Sequence, residues 1–257
     1  MNLSEFYASK TGVYVMWMGN DGWIINLHGA LISTDLDLHS SIRVPAPPNV
    51  DVNEMAGRIQ TAFITHEHGD HFNTDTCLYL HKHSDCTFIV PKSCYRKALT
   101  IGLDDERIII AAPGVSFALN GIQINPVRAI HGHYQGSVYG GASLGDCGYV
   151  ISSGGFTLYQ PGDTLLLAEH FEMDGIDLLF FSPTEHNTHI ENSIRLIRLL
   201  RPGRIIPQHF DSYVTTPDNA FWTRGYPDEV YAMLTDTEKR AFLKLSQGRP
   251  ARADWGS

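Results

Sequence analysis

Thr65-His66-Glu67-His68-Gly69-Asp70-His71 directly follows the apolar run Thr61-Ala62-Phe63-Ile64, and its reading decides the fold. A short apolar run of this kind is a strand bounded by what comes next, so the heptad begins where a strand ends. In extended backbone, residues two apart point the same way, which lets His66 and His68 grip one ion together. After a bend allowed by Gly69, Asp70 and His71 face a second ion alongside. Imidazole and carboxylate donors suit zinc, manganese or iron(II). Even in a chain with 13 histidines among 257 residues, chance yields this spacing on the order of a few times in a thousand chains. That weighs against the bland reading, a polar surface loop.

Outward from this stretch, strand-like and helix-like segments alternate. Upstream, VYVMWM (13–18), WIINL (23–27) and ALIST (30–34) are separated by Gly-Asn-Asp-Gly and His-Gly turn signals and read as an antiparallel meander. Downstream the pattern predicts a helix over 74–83, a strand over 86–90 and a helix over 91–100 opened by Pro91. Strands follow at 107–111, within 116–130 around an Asn120-Gly121 hairpin turn, at 148–152 and at 156–160. A helix over 164–173, a strand over 177–182, an apolar-striped helix over 190–200 and a strand over 204–208 come next. Two helices close the chain, the second over 236–246, with a capping signal at Thr235/Asp236 ahead of Glu238. Strands dominate early and mix with helices later. The expected class is α/β, two mixed sheets covered by outer helices. No linker or short repeat divides residues 1–257, so one domain is expected, with C-terminal helices at about 227–246 packed on it.

A two-ion site begun at residues 66–71 needs further donors. Gly162-Asp163-Thr164 and Pro207-Gln208-His209-Phe210-Asp211 each follow a strand, where sites in α/β proteins usually lie. Asp163 has two oxygens with which to bridge the ions, and His209 completes the second ion's set. Alone, Gly-Asp-Thr is more often a turn, and a lone histidine is usually structural. For the first ion the candidates are His131 and His133, in Ala129-Ile130-His131-Gly132-His133-Tyr134. His131 is preferred because it directly follows the apolar Ile130, as His66 follows its own strand. His133 then lines the pocket, as a proton donor or merely solvated. Tyr134, His186 and His189 are further rim candidates. The two histidines lie in the 182–189 loop, and helix capping or plain solvation is an equal reading of them. Arg43, in the polar and Pro-rich segment 38–53, suits an anionic substrate, although a solvated arginine is the commoner case. Trp17 and Trp23 alternate with apolar neighbours and read as core.

The formal net charge of −9 and the lack of a basic stretch argue against nucleic acid. A small-molecule substrate fits better, an anion included, because two divalent ions create a local positive field. There is no run of 18 apolar residues, and the opening MNLSEFYASK lacks the layout of a secretion signal. The four cysteines have no CxxC spacing, as in reduced proteins. A cytoplasmic protein is expected, and homo-oligomers are compatible with all of this.

The order His-x-His-x-Asp-His, His131, Gly162-Asp163-Thr164 and Pro207-Gln208-His209 resembles the metallo-β-lactamase superfamily. More narrowly, the chain is similar to the branch that holds L-ascorbate-6-phosphate lactonase and related metal-dependent hydrolases. The carriers are Trp17-Met18-Gly19-Asn20-Asp21-Gly22-Trp23, the acidic turn Asp35-Leu36-Asp37, Phe88-Ile89-Val90-Pro91, Gly102-Leu103-Asp104-Asp105-Glu106-Arg107 and Tyr159-Gln160-Pro161-Gly162-Asp163-Thr164. The Thr-Pro-Gly-His-Thr segment of glyoxalase II and quorum lactonases is absent, and His131-Gly132-His133 stands in its place. The resemblance implies an αββα sandwich with two divalent ions at one edge. His66, His68 and His131 would hold one ion, Asp70, His71 and His209 the other, with Asp163 between them. Zinc comes first, with manganese or iron also suited. A hydroxide bridging the ions would cleave a small cyclic ester, such as a lactone, or an anionic substrate. Asp70 would orient that hydroxide, and His189 is the loop histidine favoured to face it. The alternatives are a phosphodiesterase acting on nucleotides or phospholipids, and a non-catalytic metal-binding sensor on the same fold.

Overall fold

The protein is represented by a computed structural model that describes residues 1–38, 47, 49–133, 135–138 and 143–254. Arg43 and Tyr134 lie outside the described residues. The chain opens with Leu3–Ala8 (α1), capped by the Asn2 side chain. The meander follows as Val13–Gly19 (β1), Gly22–Leu27 (β2) and Ala30–Thr34 (β3), antiparallel neighbours. Thr61–Phe63 (β4), Thr87–Pro91 (β5) and Ile108–Ala111 (β6) then add in parallel. Parallel neighbours need crossover connections, and these carry Val52–Ala56 (α2), Thr74–His83 (α3) and Lys92–Ile101 (α4).

The second sheet repeats the plan. Phe117–Leu119 (β7), Ile122–Arg128 (β8), Cys147–Ser153 (β9) and Phe156–Gln160 (β10) are antiparallel. Leu178–Phe181 (β11) and Arg204–Pro207 (β12) extend them in parallel. His189–Leu200 (α5) connects these last two strands, and Ala220–Thr223 (α6), Pro227–Met233 (α7) and Asp236–Ala241 (α8) follow. Pro250–Arg252 (β13) returns to the first sheet and pairs with the outer edge of β1. The sheet orders are β13-β1-β2-β3-β4-β5-β6 and β12-β11-β10-β9-β8-β7.

Strand alternation divides the apolar residues between layers. Val15 and Ile25 join Ile124, Leu158 and Phe180 in a core between the sheets, while Met16 and Ile24 pack outward with Phe6, Leu80 and Ala98 of the first helices. On the other side, Ile194, Ile197 and Leu200 of α5 and Val230 of α7 cover Leu179 and Ile205. The architecture is α/β, two mixed sheets flanked by helices. Trp17 and Trp23 are buried in the inter-sheet core.

The structure departs from the sequence expectations where tertiary pairing overrides local pattern. The helix expected over 164–173 is a 3-10 turn at Ala168–Glu172. Leu165 N donates to Ile130 O, and Thr164 Oγ1 accepts from Ile130 N, which keeps the chain extended to that point. The helix expected over 236–246 stops at Ala241 because Phe242 and Leu243 run beside Ile205. Among the described residues no helix is long and apolar enough to cross a membrane.

Candidate metal centre

Every donor of the centre stands beyond the C-terminal end of a strand. The heptad 65–71 follows β4, His131 follows β8, Asp163 follows β10, His186 follows β11 and His209 follows β12. Within each sheet these strands run the same way, so their following loops meet at one edge of the sandwich.

In the first donor set, His66 Nε2 lies 3.0 Å from His68 Nδ1, and His131 joins them with all ligand atoms within 4.8 Å. In the second, His71 Nε2 and His209 Nε2 each lie 3.5 Å from Asp70 Oδ2, and 3.5 and 3.4 Å from Asp163 Oδ2. Asp163 Oδ2 is also 3.1 Å from His131 Nε2, so this carboxylate stands between the two sets. Two donors each roughly 2.0–2.1 Å from one tetrahedral ion are about 3.3 Å apart, close to the spacing seen. The Nε2 atoms of His71 and His209 are fully buried and make no hydrogen bond. Buried polar atoms left this way call for a partner, and a divalent ion is the partner these imidazoles and carboxylates fit.

The surrounding groups set ring orientation. Asp35 accepts from Thr65 N at 2.8 Å, from Thr65 Oγ1 at 2.6 Å and from His71 Nδ1 at 2.8 Å. With its proton given to Asp35, Thr65 Oγ1 accepts from His66 Nδ1 at 3.1 Å. Both rings therefore turn Nε2 toward the pockets, the carboxylate-to-imidazole brace common behind metal ligands. Asn187 Nδ2 donates to Asp163 Oδ1 at 2.9 Å, and Asp70 Oδ2 accepts from Asn20 Nδ2 and Tyr213 Oη, each at 3.2 Å. Phe210 stacks on Trp17 with centroids 4.8 Å apart and anchors the backbone beside His209. Backbone strain gathers here too: Asn20, Asp35, His209 and Asp211 are non-glycine residues at φ between 40 and 59°, as is common at functional sites. Gly162, at φ 61°, passes so close to Thr65 that a Cβ would lie 2.6 Å from Thr65 Cβ.

Charges in the centre are strongly coupled. Burial opposes ionisation of Asp163 and Asp70, yet the imidazoles of His209 and His71 hold both well below the usual carboxylate range. Burial likewise disfavours the imidazolium form, but Asp163 leads the carboxylates that push His209 up to about 10 and His71 well above its ordinary value. Burial, and then His71, lowers His66. Burial, and then His209, brings His186 down to about 3. Asp21 is raised well above the ordinary carboxylate value by burial. An ion binding between these carboxylates would compete with protons for His71 and His209.

The structure brings together His66, His68, Asp70, His71, His131, Asp163 and His209. His133 and His189 lie outside the donor groups. His133 belongs to a turn, with its backbone N donating to Ser137 O and Gly136 N donating to His133 O. His189 begins α5 and sets its ring edge-on to Tyr226 at 5.1 Å. It is His186, three residues earlier, whose Nε2 turns toward Asp163 Oδ2 at 3.8 Å. Asp21 and Asp35, which the sequence presents only in turns and in the motifs that carry the family resemblance, are both fully buried, and Asp21 lies among His71, Asp163 and His209. Their signal is an acidic residue at the end of a predominantly apolar strand. Asn20, Asn187 and Tyr213 carried no signal of their own.

Residues 31–210 match the family model described as the beta-lactamase superfamily domain. A metal-dependent hydrolase of Thermus thermophilus is 28% identical over 197 residues, covering 72% of this chain and 82% of that protein. A probable L-ascorbate-6-phosphate lactonase of Escherichia coli is 25% identical over 175 residues, covering 60% of this chain and 49% of its own length. Among solved structures, a metallo hydrolase from the archaeon Ignicoccus hospitalis superposes with a TM-score of 0.73 at 20% identity, covering 96% of this chain and all (100%) of the other. With the two-sheet architecture and the His/Asp donor sets, these matches make this chain a member of the metallo-β-lactamase superfamily and a metal-dependent hydrolase within it.

Proposed function

We propose that the centre holds two divalent ions and that the chain hydrolyses a small cyclic ester, such as a lactone, or a related anionic molecule. The observation that carries this is Asp163 Oδ2, within 3.1–3.5 Å of imidazoles from both donor sets. His66, His68 and His131 would hold one ion and Asp70, His71 and His209 the other, zinc foremost, with manganese and iron(II) also suited to mixed His/Asp donors. When bound, such ions polarise a carbonyl or phosphoryl oxygen and make water acidic enough to react at neutral pH.

The chain's own residues supply orientation. Asp35 and Thr65 hold His71 and His66 in one tautomer each. Asn20 and Tyr213 fix Asp70, whose side chain is 19% exposed and is the carboxylate of the centre that approaching water meets. Asp70 would orient that water and share in its proton transfer. Similarity to the probable lactonase supports the cyclic-ester reading, and the net charge of −9 favours a small molecule over nucleic acid.

Metal analysis of the wild-type protein and of Asp70→Ala and His209→Ala tests the reading. The expected result is about two ions per chain, falling toward one in either variant. A panel of lactones run beside bis-p-nitrophenyl phosphate tests the substrate class. Metal-stimulated turnover of the phosphodiester alone would overturn the lactone reading.

A further inference from the structure

We infer that His186 contacts the substrate, donating a hydrogen bond from Nε2 to the oxygen on which charge builds during hydrolysis; this rests on the two-ion reading above. Four imidazoles surround Asp163 Oδ2: His131 at 3.1 Å, His209 at 3.4 Å, His71 at 3.5 Å and His186 at 3.8 Å. The first three belong to the two donor sets, and His186 is left over and stands farthest from the carboxylate. A separation of 3.8 Å is too long for a hydrogen bond, so that contact alone does not account for the ring's direction. Its centroid lies 4.8 Å from that of His209 and 5.5 Å from that of His131. It therefore spans both pockets instead of deepening either. The side chain is 13% exposed, against 0% for His71 and 3% for His209. That is open enough to meet a substrate and dry enough for a hydrogen bond to developing charge to act strongly.

The loop that carries His186 is braced on both sides. Asn187 Nδ2 donates to Thr184 Oγ1 as well as to Asp163 Oδ1. Thr188 Oγ1 donates to Ser182 O, and His189 N to Thr184 O. A donor held by such a loop is in place before the substrate arrives, which is what makes charge stabilisation effective. The competing role is ligation, since His131, Asp163 and His186 themselves lie within 4.8 Å of one another.

The test compares wild type, His186→Ala and His186→Gln by metal content, by the d–d spectrum of the cobalt(II) proteins and by phosphate titration of that spectrum. Hydrolysis is measured on whichever of the lactones or bis-p-nitrophenyl phosphate the wild type turns over. The alanine variant should keep the wild-type ion count and resting spectrum. Its kcat should fall about 10²–10³-fold, with KM nearly unmoved, and glutamine should restore part of the loss. Inorganic phosphate should bind it about tenfold or more weakly, a readout that serves without turnover. A lost ion or an altered resting spectrum makes His186 a ligand and overturns the proposal. Unchanged kcat and phosphate affinity overturn it as well, by making the ring structural. A wild-type chain that takes up no ion would instead bring down the two-ion reading.

Discussion

Asp35 lies behind the donor sets and aligns three groups: the Thr65 amide, the Thr65 hydroxyl and the His71 ring. Asp35→Asn replaces an acceptor with a donor facing Nδ1 and should weaken metal binding about 10–100-fold, measured by competition with a chromophoric chelator. Wild-type affinity in that variant would show that Thr65 alone sets the rings. The metal-free centre also has its own pH signature. In that state His209 is raised to about 10 from 6.5, so the stability it contributes is complete below about pH 6.5 and is lost as pH rises toward 10. Asp70 and Asp163, held low, contribute from above about pH 4 and lose that contribution only in strong acid. Chelator-stripped protein should therefore melt at falling temperature between pH 6.5 and 10. Metal affinity should rise over the same range, as protons stop competing. A stripped protein with a flat profile there would rule out proton-bearing His209.

At the level of single elements, two glycines of the site separate cleanly. Gly162 needs φ 61° and leaves no room for a Cβ against Thr65, whereas Gly69 has open space around it and no positive φ. Gly162→Ala should cost about 1–3 kcal/mol and displace Asp163, while Gly69→Ala should stay within about 0.5 kcal/mol, both read from urea unfolding. The bend after His68 is made instead by His71 N and Phe72 N donating to His68 O. Legibility in the sequence follows the same division. Strands such as 156–160, and the strand ends that gather residues 66, 68, 131, 163 and 209 at one edge, are readable, because a strand and where it ends are local properties. The placement of His186, and not His189, beside Asp163 is not, because it depends on Asn187 reaching Asp163 across 24 residues. The extended run at 164–165 was hidden for the same reason, since Ile130 provides its partner.

For the molecule as a whole, the ions would link two sheets. The heptad belongs to the first sheet, and His131, Asp163 and His209 belong to the second. Anything that loosens the layer between the sheets should loosen the centre. Phe180 lies in that layer, with its ring 4.6 Å from Trp23. Phe180→Ala should lower stability by about 3–5 kcal/mol and reduce retained metal in the same preparation. Full metal retention at a lowered melting temperature would show that the centre is held by its loops alone.

The order of the first sheet has a consequence in time. β13, residues 250–252, covers the outer edge of β1, residues 13–19. A ribosome adding roughly 5–20 residues each second needs on the order of ten to fifty seconds between making the one and making the other. Throughout that interval a nascent chain carries an apolar strand with its outer hydrogen-bonding groups bare, the kind of edge on which neighbouring chains template themselves.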